Sequence, residues 1–456
     1  MTRPSSIERR PNILFLMSDE HRADVVGYEG DRVIRTPVLD DLAATGVVFR
    51  NAYTPAPICI PARQSMMAGQ FPSTIGCRVF GDDLPPGAMT FARRFAQHAY
   101  ETVACGKLHH LGTDQMQGWT RRIGGDVTVS PRNIVDGVKE EFAKHERPFG
   151  TYKWTDAKEI MRAGIGRSFY GIDDEYAVQG TLNFVNEFFN SPHYDREQGH
   201  RPLLLKVSLV QPHYPYHTSA EKFEYYLNRV EPYLNQTPSS HPFLGQRQVA
   251  PNVDVSERDI QRAVAAYYGM VETVDQHFGR ILDALRHVGQ DLDEWIVIYT
   301  SDHGEMLGEH GIWEKQKFYE ASVRVPLIIR WPAMVRGGAV VQENVNLCDL
   351  FATMCDLAGI PAPADLDSRS LVPLLLGEAT GWDDETISQF GLHNLMIKRG
   401  QLKYQSYGPD MPEVLFDLGH DPTETTDFAT HIDYQDDITL FRGRRARLGY
   451  ESMVNA

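Results

Sequence analysis

Long apolar stretches are missing from this chain of 456 residues. None of its apolar runs approaches the roughly 20 residues that a helix needs to cross a bilayer. Residues 1–10 are polar and basic, and the apolar run at 13–17 is too short for the core of a signal peptide. We therefore expect a cytoplasmic protein with no membrane partner.

Cysteine is scarce as well. The chain has five, at positions 59, 77, 105, 348 and 355. Because the number is odd and the residues are few, we expect no disulfide framework. Cys348 and Cys355 lie in an apolar pattern with helical spacing, which predicts that both belong to the core.

Positive charge is in deficit, since 45 Lys and Arg stand against 61 Asp and Glu and the net charge is −16. Nucleic acid is excluded as a partner because it requires a basic surface. Long-range attraction of an anionic substrate is excluded on the same ground. An anion-binding site would therefore need its own local cluster of cations.

The composition that is present, 42% hydrophobic residues, provides for a large core. The length predicts two domains, or one large domain with an appendage. The proline-rich break AGIPAP at 358–363 predicts the boundary between them. We expect a catalytic domain over 1–363 and a smaller C-terminal subdomain over 364–456.

Four short apolar runs, at 13–17, 102–105, 203–210 and 295–300, each end in polar residues. Such runs are typical of strands buried on both faces, which predicts an α/β fold with a parallel or mainly parallel sheet. Ligands bind outside the carboxyl ends of such strands. A single polar residue after a strand is more often a turn former or a helix cap, so the prediction depends on all four ends together. The residues at those ends include Asp19, Glu20, His21, Lys107, His109, His110, His213, Asp302 and His303.

Helical spacing of apolar residues predicts a long helix over 256–285, with Ser256 and Asp259 as a capping box. A shorter helix is predicted over 181–189. The stretch 113–174 is irregular and rich in glycine and aromatic residues. We predict that it forms an elaborated loop region that confers substrate specificity.

The motif CIPARQSMMAG at 59–69 combines a thiol, a proline and an arginine. Pro61 is a favoured first residue of a helix, and Gly69 is a favoured residue just past its end. Cys59 would then lie ahead of a helix N-terminus, where anions are favoured, and Arg63 would add a cation one turn later. Cysteine is also often a small buried hydrophobic residue. The functional interpretation is a nucleophile beside an anion cradle, which suits chemistry on a sulfate or phosphate ester.

Further motifs follow in order, and the whole set spans about residues 11–429. They are CIPAR at 59–63 with AG at 68–69, GKLH at 106–109, PHYPY at 212–216, SDHGE at 301–305, HGIWEK at 310–315, RVPLII at 324–329, LFDL at 415–418 and DPTE at 421–424. As a set they resemble the type I, formylglycine-dependent sulfatases of the alkaline phosphatase superfamily. GKLH continuing into GTDQ at 112–115 resembles the choline-sulfatase branch. The resemblance implies a large mixed, mainly parallel sheet between helices, with a smaller C-terminal α+β part that contains a small antiparallel sheet.

The resemblance also implies that a maturation enzyme converts Cys59 to formylglycine, whose hydrate is the nucleophile. One divalent metal ion is implied, with Asp19, Asp302, His303 and residue 59 as ligands. Glu20 stands where family members usually have Asp, Asn or Gln, so its ligation of the metal is left open. Carboxylates favour calcium, whereas His303 favours manganese.

The resemblance also implies roles for the cationic and histidine side chains of the site, in binding the sulfate group and in moving protons. Arg63 would hold the hydrate and a sulfate oxygen, while Lys107 and Lys315 would neutralise the sulfuryl oxygens. His213, helped by Lys315, would protonate the leaving alcohol oxygen. His109 would then take a proton from the second hydroxyl of the hydrate, which expels sulfate from a covalent hemiester.

The implied activity is hydrolysis of small-molecule sulfate esters, with Tyr152 and Trp154 as candidates for lining a cation pocket. The alternative is a phosphonate monoester or phosphodiester hydrolase, because relatives with the same site prefer those esters. A third interpretation is a non-enzymatic metal-binding relative. The presence of a catalytic residue at every matched position argues against it. The basic segment 441–447 is either a contact of a homo-oligomer or a solvated end.

Overall fold

A computed structural model of the chain describes residues 10–124, 157–191 and 201–450. Within these ranges the strands are β1 (Ile13–Asp19), β2 (Val47–Phe49), β3 (Ala52–Tyr53), β4 (Glu101–Gly106), β5 (Arg121–Ile123), β6 (Gly164–Ile165), β7 (Leu203–Pro212), β8 (His217–Thr218), β9 (Ile296–Ser301), β10 (Leu327–Arg330), β11 (Ala339–Val341), β12 (Val345–Asn346), β13 (Glu385–Phe390), β14 (Asn394–Arg399), β15 (Leu402–Tyr407) and β16 (Val414–Asp417). The α-helices are α1 (Pro37–Thr45), α2 (Cys59–Ala68), α3 (Pro72–Ile75), α4 (Phe91–Gln97), α5 (Ala157–Met161), α6 (Phe169–Asn190), α7 (Ala220–Tyr226), α8 (Glu257–His287), α9 (Glu320–Val323), α10 (Asp349–Leu357), α11 (Val372–Leu375) and α12 (Gln435–Arg447).

One eight-stranded sheet, with the order β11-β2-β10-β9-β1-β7-β4-β5, forms the centre of the fold. The four predicted strands are its neighbouring members β9, β1, β7 and β4, and all pairs among them are parallel. Only β10 runs antiparallel to its neighbours. The prediction of an α/β fold with a mainly parallel sheet is therefore confirmed. The four carboxyl ends point to the same edge of the sheet.

The sheet is covered by helices on both faces, and alternate residues of β1 show how. Phe15 and Met17 belong to a core with residues of α2, α4 and α10. Leu14 and Leu16 belong to a second core with residues of α1, α6 and α8. Apolar side chains on both faces explain why the strands read as unbroken apolar runs in the sequence.

The long predicted helix is α8, which begins after Ser256. The Ser256 hydroxyl accepts a hydrogen bond from the backbone N–H of Asp259, which confirms the predicted cap. Of the helices in the described ranges, none has both the length and the apolar character to cross a bilayer.

The short helix predicted over 181–189 was placed too late, because α6 begins at Phe169. The stretch 113–174 is therefore not a loop throughout. Ser168 caps α6 by accepting the N–H of Gly171. In the first turns, the buried Asp174 accepts the N–H groups of Val210 and Gln211 in β7, so a polar residue takes an inward position. Because this inward position is polar, the spacing of apolar residues does not reveal the first turns of the helix.

A second sheet, of β13, β14, β15 and β16 in antiparallel order, lies near the C-terminus. It agrees with the expected small antiparallel sheet, while the division into 1–363 and 364–456 remains a prediction. The basic segment 441–447 belongs to α12, whose Phe441 is buried against this sheet. Arg444 of the same helix pairs with Glu385 of β13.

The second sheet is joined to the rest of the chain by a buried ionic cluster around Lys403 of β15. The Lys403 ammonium lies 2.9 Å from a carboxylate oxygen of Glu320, the first residue of α9. It also contacts the carboxylate of Glu424 in the DPTE motif. The other oxygen of Glu424 accepts the backbone N–H of Glu320 at 2.7 Å. This cluster fixes the position of α9, which follows the HGIWEK motif.

Replacing Lys403 by Met should lower the free energy of unfolding by about 3–5 kcal/mol, because two carboxylates would lose their buried counter-ion. Urea denaturation followed by circular dichroism measures the change. Arg399→Met on the neighbouring strand is the control, since the Arg399–Asp383 pair is exposed and is worth at most about 1 kcal/mol. Equal losses in the two variants would contradict the assigned role of the cluster.

Candidate functional site

The carboxyl ends of β1, β4, β7 and β9 bring the predicted site residues together at one edge of the central sheet. Gly106, which ends β4, has φ +82°, and a Cβ there would lie 2.2 Å from the carbonyl oxygen of Ser208 in β7. Only glycine permits this close approach. It sets the direction in which Lys107 leaves the strand and places its side chain over the neighbouring strands.

Cys59 lies at this edge, as the first residue of α2. Pro61 was predicted as the first helical residue, but the helix begins two residues earlier, since proline is tolerated throughout the first turn. Gly69 ends the helix with φ +65°, as predicted. The Cys59 Sγ lies 3.1 Å from His303 Nε2 and 3.7 Å from an Asp19 carboxylate oxygen. Cys59 is only 2% exposed.

Burial, with the nearby carboxylate of Asp19, raises the pKa of the Cys59 thiol to about 12. The cationic groups of Lys107 and Lys315 oppose this shift without cancelling it. The residue is therefore a protonated thiol at neutral pH, and the thiolate is the form of cysteine that acts as a nucleophile.

A group of four side chains has the geometry of a metal site. One ligand atom from each of Asp19, Cys59, Asp302 and His303 lies within 4.8 Å of all the others, and all four residues are buried. The His303 Nδ1 lies 3.0 Å from the carbonyl oxygen of Gly304, to which it can donate. The ring then directs the lone pair of Nε2, which also faces the Cys59 Sγ, to the centre of the group. Two carboxylates, one imidazole and the side chain of residue 59 fit a single divalent cation.

Arg63 connects two of these carboxylates. Its Nε donates to Asp302 and one terminal nitrogen donates to Asp19, both at 2.7 Å. The other terminal nitrogen donates to the carbonyl oxygen of Lys107 at 2.9 Å and to Ser208 Oγ at 2.8 Å. The guanidinium therefore links β1 and β7 with the segments that follow β4 and β9. Ser208 was missed by the sequence analysis because it stands inside an otherwise apolar run.

Lys107 and Lys315 supply two further buried cations. The Lys107 ammonium lies 2.8 Å from Asp19, and that of Lys315 lies 2.7 Å from Glu20. Burial alone would raise the pKa of Asp19, but Lys107 and Arg63 outweigh it and hold that pKa well below its usual value. Burial would likewise lower the pKa of Lys315, but Glu20 raises it well above the usual value. The local cation cluster that the acidic composition requires is thus present.

The histidines His109 and His213 complete the set, and burial lowers the pKa of both well below the usual value, assisted by nearby lysines. Both rings are neutral at neutral pH. The His213 Nδ1 lies 2.7 Å from the carbonyl oxygen of Tyr214 and donates to it, which leaves Nε2 to accept from the Lys315 ammonium at 2.9 Å. The backbone of His109 is held by Gln64, which donates to its carbonyl oxygen at 2.9 Å.

Glu20 and His21, which were singled out in the sequence, lie outside the group of four metal-binding side chains. Glu20 lies outside the group of four, and it forms a separate group with Asp19 and His213. Its Oε1 finds no hydrogen-bond donor among the described residues. His21, for which no role was matched, lies against the Tyr299 hydroxyl and the carbonyl oxygen of Val25 and serves the packing of the sheet. Tyr152 and Trp154 lie outside the described residues.

The amino-acid sequence matches the family described as Sulfatase over residues 11–360. The chain belongs to the sulfatase family. A second match, over residues 308–444, is to the C-terminal region of N-sulphoglucosamine sulphohydrolase. The match to a family model over most of the chain confirms the resemblance drawn from the motifs.

Sulfatases from several organisms are similar to this chain. It is 30% identical to a choline-sulfatase of Rhizobium meliloti (strain 1021), over 96% of this chain and 86% of that protein. It is 29% identical to arylsulfatase K of Rattus norvegicus, over 93% of this chain and 76% of the relative. The expected likeness to a choline-sulfatase is thereby confirmed, and the chain is a hydrolase of the sulfatase type.

The fold is that of alkaline phosphatase-like sulfatases and their structural neighbours. A phosphonate monoester hydrolase of Agrobacterium radiobacter superposes with a TM-score of 0.77 at 22% identity, covering 96% of this chain and 95% of that structure. A protein solved in complex with its substrate D-glucosamine-2-N,6-O-disulfate gives a TM-score of 0.75 at 20% identity, covering 97% of this chain and 99% of the other. The predicted fold class is confirmed.

Arg63→Lys should weaken the binding of Ca²⁺ or Mn²⁺ by about 10- to 100-fold, because a lysine cannot orient Asp19 and Asp302 together. Isothermal titration calorimetry on the purified protein measures the affinity. Arg442→Lys is the matched control, because Arg442 forms an exposed pair with Glu413 on the second sheet. Unchanged metal affinity in Arg63→Lys would show that the two carboxylates need no such bridge.

Proposed function

We propose that this sulfatase hydrolyses sulfate monoesters at the sheet edge, with residue 59 as the nucleophile after conversion of Cys59 to formylglycine. The observation that carries the proposal is the position of Cys59, buried 3.1 Å from His303 within the group of four metal-binding side chains. Burial and the Asp19 carboxylate raise the pKa of the unconverted thiol to about 12. A hydroxyl in the same position would lie beside a cation that can activate it.

Asp19, Asp302 and His303 would hold the divalent cation, together with residue 59. When bound, this ion would lower the pKa of an adjacent hydroxyl and withdraw charge from a sulfuryl oxygen. Oxygen ligands from two carboxylates favour calcium, and the imidazole of His303 is compatible with manganese. Arg63 orients both carboxylates by its two charge-assisted hydrogen bonds.

The sulfuryl oxygens would be bound by the cations Lys107 and Lys315, with the remaining N–H of Arg63. These groups are fixed before substrate arrives, since each is held by a buried carboxylate. Preorganised donors of this kind stabilise charge that develops in a transition state. The strongly acidic surface charge of the chain leaves this local cluster as the source of attraction for an anionic ester.

Two proton transfers are assigned to the histidines. When the bond between sulfur and the ester oxygen breaks, the departing oxygen takes a proton from the hydrogen-bonded pair of Lys315 and His213. The neutral His109 serves as the base that removes the proton from residue 59 during release of sulfate. A buried neutral imidazole is suited to this second role, since it has a lone pair available at neutral pH.

The alcohol portion of the substrate is proposed from the relatives. The likeness to choline-sulfatase supports a small sulfate ester, and the Tyr152 and Trp154 cation pocket remains a prediction. The phosphonate monoester or phosphodiester alternative uses the same residues. Action of a maturation enzyme on Cys59, a cytoplasmic location and a homo-oligomer also remain predictions.

The protein produced with a formylglycine-generating enzyme should carry an aldehyde or its hydrate at residue 59, as measured by mass spectrometry of the peptide. The converted protein, loaded with Ca²⁺ or Mn²⁺, should hydrolyse 4-nitrophenyl sulfate with a higher kcat/KM than 4-nitrophenyl phenylphosphonate. Cys59→Ala should abolish turnover by removing the nucleophile. Cys355→Ala, at another buried cysteine, should retain it.

Either of two results would overturn the proposal. One is an active protein with an unaltered thiol at residue 59. The other is a converted, metal-loaded protein that turns over the phosphonate and not the sulfate, which would establish the alternative.

A further inference from the structure

Glu20 makes contacts that differ from those of the metal-binding group. Its Oε2 lies 2.7 Å from the Lys315 ammonium and 3.3 Å from His213 Nε2. The Lys315 ammonium and His213 Nε2 are themselves 2.9 Å apart. The three side chains therefore form a closed triangle, in which all members are buried. This triangle contains both groups that supply the leaving-group proton in the proposed function.

The backbone of Glu20 directs its side chain towards this triangle. The residue has φ +66°, in the left-handed region that residues other than glycine seldom adopt. It is held there because its N–H donates to Asp302 and its carbonyl oxygen accepts from the Tyr267 hydroxyl at 2.7 Å. Asp19 therefore belongs to both groups of side chains, whereas Glu20 belongs only to the group with His213. Strained backbone of this kind is characteristic of functional sites.

The second group, of Asp19, Glu20 and His213, shares Asp19 with the first group and has the Lys315 ammonium beside Glu20. The Lys315 ammonium is in hydrogen-bond contact with Glu20 and His213. A lysine ammonium in this position neutralises the carboxylate. The group of Asp19, Cys59, Asp302 and His303 offers a complete donor set without Glu20.

We propose that Glu20 is a positioning residue of the proton donor and not a metal ligand. It holds the Lys315 ammonium against His213 Nε2, facing the ester oxygen that departs. This inference rests on the proposed function. When the bond between sulfur and that oxygen breaks, its electron pair stays on the oxygen, which takes one proton from the pair.

The physical need for such a residue arises from Lys315. A lysine side chain has about 2 kcal/mol of rotamer entropy, and its ammonium is costly to bury without a counter-ion. Glu20 supplies both the counter-ion and a fixed direction. The length of the side chain matters here, since an aspartate would be one methylene shorter.

The test compares Glu20→Gln and Glu20→Asp with the unmutated, converted protein on a series of aryl sulfates whose phenols differ in acidity. Loss of a positioned proton donor should lower kcat/KM for the least acidic phenol by about 10- to 100-fold or more, given the usual size of acid catalysis. The most acidic phenol needs little protonation, so its kcat/KM should fall at most about threefold. Calorimetry should give Ca²⁺ and Mn²⁺ affinities within about threefold of the unmutated protein.

Asp302→Asn is the contrasting variant, because it changes a residue of the metal-binding group. It should lose metal affinity and should lose activity equally along the whole series. Circular dichroism checks that each variant is folded. If Glu20→Gln does not fold, the same measurements are made on Glu20→Asp.

The inference is overturned if the Glu20 variants lose metal affinity by tenfold or more, since Glu20 would then be a ligand. A uniform loss of activity along the series with intact metal binding also overturns it, because that marks a structural role. Failure of the proposed function is distinguishable, since the unmutated converted protein would then hydrolyse none of the aryl sulfates.

Discussion

Arg63 lies between the carboxylates of Asp19 and Asp302, and the assembly of the site depends on this one guanidinium. Adjacent parallel strands bring their carboxyl ends together, so the acidic residues at the ends of β1 and β9 come into close contact in a buried region. Two buried carboxylates without a shared cation would repel each other and pay a large desolvation cost. The planar fork of arginine satisfies both at 2.7 Å and still reaches β7 through Ser208. One side chain thus makes it possible for acidic groups to collect at the edge of an apolar sheet.

Pairing of a buried carboxylate with a buried cation also occurs at other places around Arg63. Lys107 pairs with Asp19, Lys315 pairs with Glu20, and Lys403 pairs with Glu320 farther away. Such pairs gain little stability relative to apolar residues, because desolvation offsets most of the attraction. Their value lies in fixed orientation, which is what transition-state stabilisation requires. The apolar cores on both faces of the sheet provide the stability that permits a polar edge.

Much of this arrangement could be predicted from the sequence, and the reasons are physical. Strands buried on both faces require apolar residues at successive positions, so β1 and β7 were visible as unbroken runs. The carboxyl ends of parallel strands lie at one edge of a sheet, so residues at those ends can be grouped from the sequence alone. Asp302 and His213 were found in this way. The start of α6 was missed because Asp174 is held inside by hydrogen bonds from β7. The pairing of Glu20 with Lys315 was beyond sequence analysis, since it depends on the left-handed backbone at Glu20 and on the fold of a distant loop.

The near-complete burial of Cys59 bears on whether its side chain could be modified before or after the chain folds. Once α2 is packed, Cys59 is only 2% exposed, which is too little for another enzyme to enclose the side chain in its own active site. Any such alteration must happen while the polypeptide is still being synthesised or before it closes. The ionic cluster that anchors α9 needs Lys403 and Glu424, which leave the ribosome near the end of translation. The interval between the emergence of the thiol and the emergence of these late residues is therefore the period in which any such alteration would compete with folding.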